Sequence, residues 1–384
     1  MNKHQSVYIN TIFLLLIFGF TVATIIRPQR ERSETENRSL EMRPSITWDS
    51  LITGKFADDY EDYLSDQFIL RDGWITLKTA VERAILKQET NEVYFGRDGY
   101  LIEKHTGAFT SDTARQNVQR ISAFMQKMSE TFDADHLSCI IVPNAVDVLA
   151  DKLPAYADPY DEELYLSQIR DAMPEGVWVD SSEVLKTRHA EDPSSQLYYR
   201  TDHHWKTDSA FRVFQSWLSQ KKIAQASPDQ YSVTSVTDQF EGTIASKLGI
   251  KGRADSIERY DPVVPFDYYL IYNQSDDIRN SIYRDSYLDT KDKYAYFYGG
   301  NFGLIEAKMP DAQTGRRLLI IKDSYAHCFA PFTYGYFDEV DMLDPRYYNA
   351  SVSELIAGKD YTDVLFLFNA AGFAEETAIA RLLV

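Results

Sequence analysis

From Val7 to Ile26 the chain reads VYINTIFLLLIFGFTVATII, and no Asp, Glu, Lys or Arg occurs between Lys3 and Arg27. A helix of this length spans about 30 Å, the thickness of a bilayer's hydrocarbon layer. Asn10 and Gly19 are tolerable in such a helix. The pattern therefore predicts a membrane-targeting helix over residues 1–26. The nearest small-x-small site, Thr21-Val22-Ala23, lies inside an apolar run that continues to Ile26. That favours an uncleaved signal anchor over a removed signal peptide, with secretion after cleavage as the alternative. The flanking charge is mixed, with Lys3 before the helix and Arg27, Arg30 and Arg32 after it. The signal-like position favours an extracytoplasmic domain in a bacterial membrane.

Residues 27–50 are polar, contain Pro28 and Pro44, and read as a juxtamembrane tether. Residues 51–384 read as the main domain. Helical spacing runs through Phe56, Tyr60, Tyr63 and Leu64, then through Trp74, Leu77, Val81 and Ile85. VYFGRDGYLI, residues 93–102, predicts a hairpin turning at Arg97-Asp98-Gly99. Further on, helices are predicted over 112–128, 161–173 and 208–218, the last capped by Thr207. Strands are predicted over 137–142, 177–179, 317–321, 340–343 (short or at an edge) and 364–368. Short apolar strands alternating with helices predict an α/β fold with a mostly parallel sheet covered on both faces. Residues 231–310, rich in tyrosine, read as an insertion or second lobe.

Composition narrows the function classes. The 384 residues include 40 Lys plus Arg and 58 Asp plus Glu, for a formal net charge of -18. Lys3 is the only formally charged residue among the first 26, so the remainder carries -19. That balance argues against a nucleic-acid backbone as the main ligand. The 44% hydrophobic content argues against a disordered chain. Two cysteines exclude a disulfide-rich scaffold and a four-cysteine zinc site, leaving a Cys139–Cys328 bridge open.

Two segments carry candidate chemistry: Arg200-Thr201-Asp202-His203-His204-Trp205, and Lys322-Asp323-Ser324-Tyr325 after the predicted strand RRLLII. A serine nucleophile needs a base to take its proton, and the base needs an acceptor to fix its tautomer. Ser324, His204 and Asp202 supply those roles. Ser324 falls at a strand-to-helix turn, where its own amide would face a developing oxyanion. The bland reading of Ser324 is a helix N-cap. Metal binding by Asp202 and His204 is a rival, although no second cluster with ligand spacing accompanies them.

The Thr201-to-Trp205 segment resembles the DHHW-motif proteins of Gram-positive bacteria. These resemble the SGNH/GDSL-like acyltransferases of exopolysaccharide acetylation, the alginate acetylation proteins among them. The resemblance extends to Glu36-Asn37-Arg38, Gly96 to Leu101, Gly299-Gly300-Asn301 and Asp344 to Tyr348. It implies a three-layer SGNH-hydrolase-like fold with permuted motif order, in which Asp202 and His204 precede Ser324. It implies acetyl transfer to a cell-envelope or secreted glycan, an acyl donor, a membrane-bound acetyl-exporting partner, and no metal or other cofactor. An esterase, or a noncatalytic glycan-binding protein on a degenerate hydrolase fold, is the alternative.

One departure stands out: Lys322 occupies the position of the glycine in GDS-type enzymes. The substitution changes the turn's backbone freedom, and Lys322 reads either as a solvated strand end or as a ligand for an acidic sugar. Gly300, Asn301 and Asn369 are candidate oxyanion or substrate-binding groups, with turn and capping roles as their bland readings. Tyr325, with Tyr156, Tyr198 and Tyr199, is a candidate sugar-stacking residue or ordinary packing. His327 and Cys328 read as packing residues.

Overall fold

The computed structural model describes residues 3–33, 38–276 and 278–383; Glu36 and Asn37, quoted above for the resemblance, lie outside the described residues. The chain forms two compact units. One comprises Met1–Lys87 with Ser246–Ile250, the other Gln88–Ala245 with Lys251–Val384.

In the first unit a helix spans Lys3–Ile26. Its stretch Gln5–Ile26 is long and apolar enough to cross a membrane and is almost wholly exposed. Phe20 packs against Phe68 and Trp74, but most of the helix's apolar side chains are exposed, unlike those of a core helix. Helices Lys55–Gln67 and Arg71–Ala84 follow the predicted spacing. Gln67 pins the segment after the long helix: its amide donates to the Arg30 carbonyl at 2.8 Å and the Glu41 carbonyl at 3.0 Å, and its oxygen accepts from the Arg30 N–H at 2.9 Å. Thr76 and Thr79 donate to the Gly249 and Leu248 carbonyls at 2.8 and 2.9 Å. Those two bonds hold the short excursion Ser246–Ile250 within this unit.

The second unit is built on a mixed sheet. Its strands are β1 (Leu137–Val142), β2 (Tyr269–Tyr272), β3 (Ile278–Arg279), β4 (Leu304–Lys308), β5 (Arg317–Lys322), β6 (Glu339–Leu343) and β7 (Asp363–Asn369). Their order across the sheet is β3-β2-β4-β6-β5-β7-β1. The pairs β6/β5, β5/β7 and β7/β1 are parallel. The pairs β3/β2, β2/β4 and β4/β6 are antiparallel. The expectation of a mostly parallel sheet is therefore corrected. The cause lies in the tyrosine-rich middle of the chain, which contributes β2, β3 and β4 and extends the sheet by short antiparallel returns. Parallel pairing would have required long crossovers.

Side-chain alternation explains why both faces are buried. Leu318 and Ile320 join one apolar cluster with Trp205, Phe214 and Trp217; Leu319 and Ile321 join another with Phe124, Phe366 and Phe373. Each fully buried aliphatic or phenyl side chain stabilises the fold by about 1.5–3 kcal/mol. Helix Asp112–Met128 forms over its predicted range, buries Ile121, Phe124, Met125 and Met128, and is capped by Ser111, whose hydroxyl accepts from the Ala114 N–H at 3.0 Å.

Other local expectations change. β6 is interior, flanked by β4 and β5, rather than at an edge. Residues 177–179 make a single bridge, Cys139 with Trp178, instead of a strand. Thr207 does not cap its helix: Lys206 is the N-cap residue, and the Thr207 hydroxyl donates to the Glu258 carbonyl at 3.2 Å. Cys139 and Cys328 are both free thiols. They belong to the two different apolar clusters.

Candidate active site

β5 ends at Lys322, and the chain turns into a short helical segment, Ser324–His327. Asp323 caps this turn. One of its carboxylate oxygens accepts from the Tyr325 N–H at 2.9 Å, and the other accepts from the Asn369 N–H at 2.8 Å, at the end of the neighbouring β7. With Asp323 as the cap, the Ser324 hydroxyl is left for other use. This is the carboxyl edge of the parallel strands, where α/β sheets bind ligands. As the first residue of the turn, Ser324 has a backbone N–H without an intrahelical partner.

The Ser324 hydroxyl lies 2.8 Å from His204 Nε2. On the other side of the ring, His204 Nδ1 lies 2.6 Å from Asp202 Oδ1. An ionised Asp202 accepts a hydrogen bond from Nδ1–H and so keeps the ring proton on that nitrogen, which leaves the Nε2 lone pair facing the hydroxyl. Asp202 Oδ1 also accepts from the His204 backbone N–H at 3.0 Å, and Oδ2 accepts from the N–H and hydroxyl of Thr243 at 2.9 and 3.0 Å. Adjacent Gly242 leaves room for this: a Cβ there would sit 2.2 Å from the Asp202 Cβ.

Electrostatics favour the same assignment. Burial alone would raise the Asp202 pKa, but His203, His204 and the donated hydrogen bonds hold it below the usual carboxylate range. His204 is lowered to about 4, by burial first and then by His203, against the opposing pull of Asp202. It is thus a neutral imidazole, able to accept a proton, at neutral pH.

Sequence reasoning missed two neighbours. Thr243 is 41 positions from Asp202, on no shared motif. The Tyr294 ring stacks on the His204 ring with centroids 3.7 Å apart and 16° between planes. Nothing in the local sequence marks either residue. His203, by contrast, faces away from Ser324: its Nδ1 is 2.9 Å from the Thr243 hydroxyl. The adjacent histidines therefore have separate jobs.

The remaining expected residues fall elsewhere. Lys322 is fully buried, with its ammonium 2.9 Å from His327 Nε2 and 3.3 Å from Asp344 Oδ2. This corrects both the solvated and the sugar-binding readings. Its backbone is that of a strand, which needs no glycine. Arg346 grips the same Asp344 through two bonds, at 2.8 and 2.7 Å. Asn369 is not a free oxyanion donor: its side-chain oxygen accepts from the Gly372 N–H at 3.1 Å, and its amide donates to Asn144 Oδ1 at 3.1 Å. Tyr325 is buried and donates its hydroxyl to the His203 carbonyl, so its ring is packing rather than a sugar platform. Tyr198 and Tyr199 are likewise buried, whereas Tyr156 is exposed. Among the described hydrogen bonds, none joins Gly300 or Asn301 to Ser324, His204 or Asp202. Gly300 occupies a turn at φ +114°, a conformation suited to glycine.

Asp202, His203 and His204 also bring ligand atoms within 4.8 Å of one another, the arrangement a metal would require. The hydrogen bonds favour a different use. Both Asp202 oxygens already accept two donors each, and His204 Nε2 is directed at Ser324.

Comparison with known proteins finds likeness of family and of fold. A model of the DHHW protein family matches residues 179–343, which include both chemical segments. A DHHW family protein from Eubacterium siraeum DSM 15702 has a similar structure, with a TM-score of 0.59 at 20% identity, covering 76% of this chain and 94% of that one. Bacillus cereus PatB1, solved with a sulfonyl adduct, is similar with a TM-score of 0.61 at 19% identity, covering 74% of this chain and 98% of that one. No curated protein matches the chain. At these identities the structural likeness is one of fold. Over residues 179–343 the chain is thus similar to the DHHW protein family, in a match that takes in Asp202-His203-His204-Trp205, and its fold is similar to that of a DHHW family protein.

Proposed function

We propose that this chain is a membrane-anchored, extracytoplasmic serine acyltransferase that moves an O-acetyl group onto a cell-envelope or secreted glycan. The observation that carries the reading is the hydrogen-bonded row from Asp202 through His204 to Ser324, with spacings of 2.6 and 2.8 Å. His204 Nε2 takes the Ser324 proton as Oγ attacks the acyl carbonyl. The Ser324 N–H faces the tetrahedral oxyanion. His204 returns its proton to the leaving group, and an acyl-enzyme remains. His204 then deprotonates a sugar hydroxyl, which attacks the ester and releases Ser324 with its proton restored. Water in the acceptor's place gives the esterase outcome.

Acetyl as the acyl group, the glycan acceptor and a membrane-bound acetyl-exporting partner follow from the sequence resemblance. The exposed apolar helix Gln5–Ile26 supports the anchor. The strand backbone at Lys322, which needs no glycine, supports a working turn over a degenerate one. PatB1 is known with a sulfonyl adduct, so a sulfonyl fluoride is an apt probe of the same chemistry here. It should label the chain once and abolish turnover of an activated acetyl ester, with the label mapping to Ser324. Labelling that leaves ester turnover intact would count against the reading.

A further inference from the structure

A cavity of about 360 Å³ lies among Tyr231, Tyr260, Phe266, Tyr268 and Tyr283, with Arg259, Asp261, Asn280 and Ser281 as its polar lining. Ligand pockets of this scale combine aromatic walls with a few oriented polar groups. We infer that this pocket binds one neutral pyranose unit of the glycan acceptor.

The rings are fixed before any ligand arrives. The Tyr268 hydroxyl accepts from the Ile282 N–H at 3.2 Å, the Tyr283 hydroxyl donates to the Tyr260 carbonyl at 3.1 Å, and the Tyr334 hydroxyl bonds that of Tyr298 at 2.7 Å. Their polar ends are thus engaged inside the protein. The half-buried rings of Phe266 and Tyr268 keep apolar surface toward the cavity. A pyranose offers matching surface, a C–H face for stacking and a rim of hydroxyls.

The polar wall is equally ordered. Arg259 Nε donates to Asp261 Oδ1 at 2.7 Å, and the guanidinium lies 4.6 Å from the Tyr283 ring centroid. Tyr283 stacks on Tyr296 at 5.0 Å. Arg259 and Asp261 cancel each other's charge, so the wall suits hydroxyls rather than a carboxylate. The net charge of -18 also disfavours a polyanion. Chain continuity connects the pocket with the serine. Pro331, Phe332 and Tyr334, which line it, belong to the segment Ala330–Gly335 that follows the Ser324–His327 turn.

The identity of the ligand as an acceptor rests on the acyltransfer reading, but binding itself requires no chemistry. The test uses the full chain in detergent with Ser324→Ala, titrated with chitotetraose, cellotetraose and tetragalacturonate by ligand-detected NMR. The two neutral tetramers should bind at millimolar concentration. Phe266→Ala and, independently, the shape-conserving Asp261→Asn should weaken that binding by about tenfold or more. Thermal melting of both variants checks folding. No binding by either neutral tetramer, binding unchanged in both variants, or binding of tetragalacturonate alone overturns the inference. Turnover of an activated acetyl ester without glycan, measured on the Ser324 protein, separates the two readings. Lost ester turnover with intact sugar binding removes only the acyltransfer reading; the reverse pattern removes only the pocket.

Discussion

Trp205 donates its indole N–H to the backbone carbonyl of Tyr325 at 2.9 Å. The residue after His204 is thereby tied to the residue after Ser324. Together with the Tyr325 hydroxyl on the His203 carbonyl, this buried bond holds in register two segments separated by 120 positions. Trp205 also packs on Phe329, with ring centroids 6.4 Å apart and planes 7° from parallel. Trp205 thus helps hold His204 and Ser324 at hydrogen-bonding distance.

Trp205→Phe keeps an aromatic ring but leaves the Tyr325 carbonyl without its strong donor. An unsatisfied buried acceptor costs about 1–3 kcal/mol. Urea unfolding should show a loss of that size, and ester turnover should fall because the Ser324–His204 spacing relaxes. Unchanged stability and turnover would remove the strut role.

Thr243→Val deletes one hydroxyl that donates to Asp202 while retaining the backbone donor. A hydrogen bond to a charged group contributes about 1.5–3 kcal/mol. If that contribution orients Asp202 in the transition state, kcat should drop by about tenfold to a hundredfold. Thr243→Ser should restore most of it. Steady-state kinetics on a soluble activated ester measures both variants.

The pH profile follows from the lowered pKa of His204, about 4 in the folded protein against an ordinary 6.5. Only neutral imidazole accepts the serine proton, so ester turnover should be level near neutrality and lost as pH falls through about 4. The same shift affects stability. Between pH 6.5 and 4 the unfolded histidine binds more protons than the folded one, so stability rises with pH across that window. An acid limb in kcat/KM near 6.5 would contradict the buried-base account.

Lys322→Gly tests whether the lysine is a defect of the turn. It removes a buried ammonium from between His327 and Asp344 and places glycine in the interior strand β5. Breaking a buried ion pair costs about 3–5 kcal/mol. Arg346 still holds Asp344, so the loss should fall toward the lower end. The variant should melt earlier and gain no activity; higher ester turnover would mean that the lysine restrains the site.

Topology is tested by protease treatment of spheroplasts carrying the full chain. Residues beyond Ile26 should be degraded without lysis, and the protein should pellet with membranes. Protection until lysis would reverse the proposed orientation.

Much of this architecture was legible in the chain. Helix Asp112–Met128 and strand Leu137–Val142 follow directly from apolar periodicity. Paired Asp-His and Asp-Ser segments likewise pointed to Asp202, His204 and Ser324, which the fold brings into one row. Strand direction was less accessible. A short segment such as Val340–Leu343 reads alike whether its neighbours are parallel or antiparallel, and β6 has one of each. Lys322 misled for another reason. A charged residue at a strand end normally meets water, and its partner Asp344 lies 22 positions away. Thr243 and Tyr294 act on Asp202 and His204 only through tertiary contact, which no local spacing encodes.

The central claim is that Ser324 is the nucleophile. Its most direct test is intact-mass analysis after brief exposure to an activated acetyl ester, comparing wild type with Ser324→Ala. A single acetyl adduct on wild type and none on Ser324→Ala is the predicted result. Equal labelling of the two proteins would contradict it.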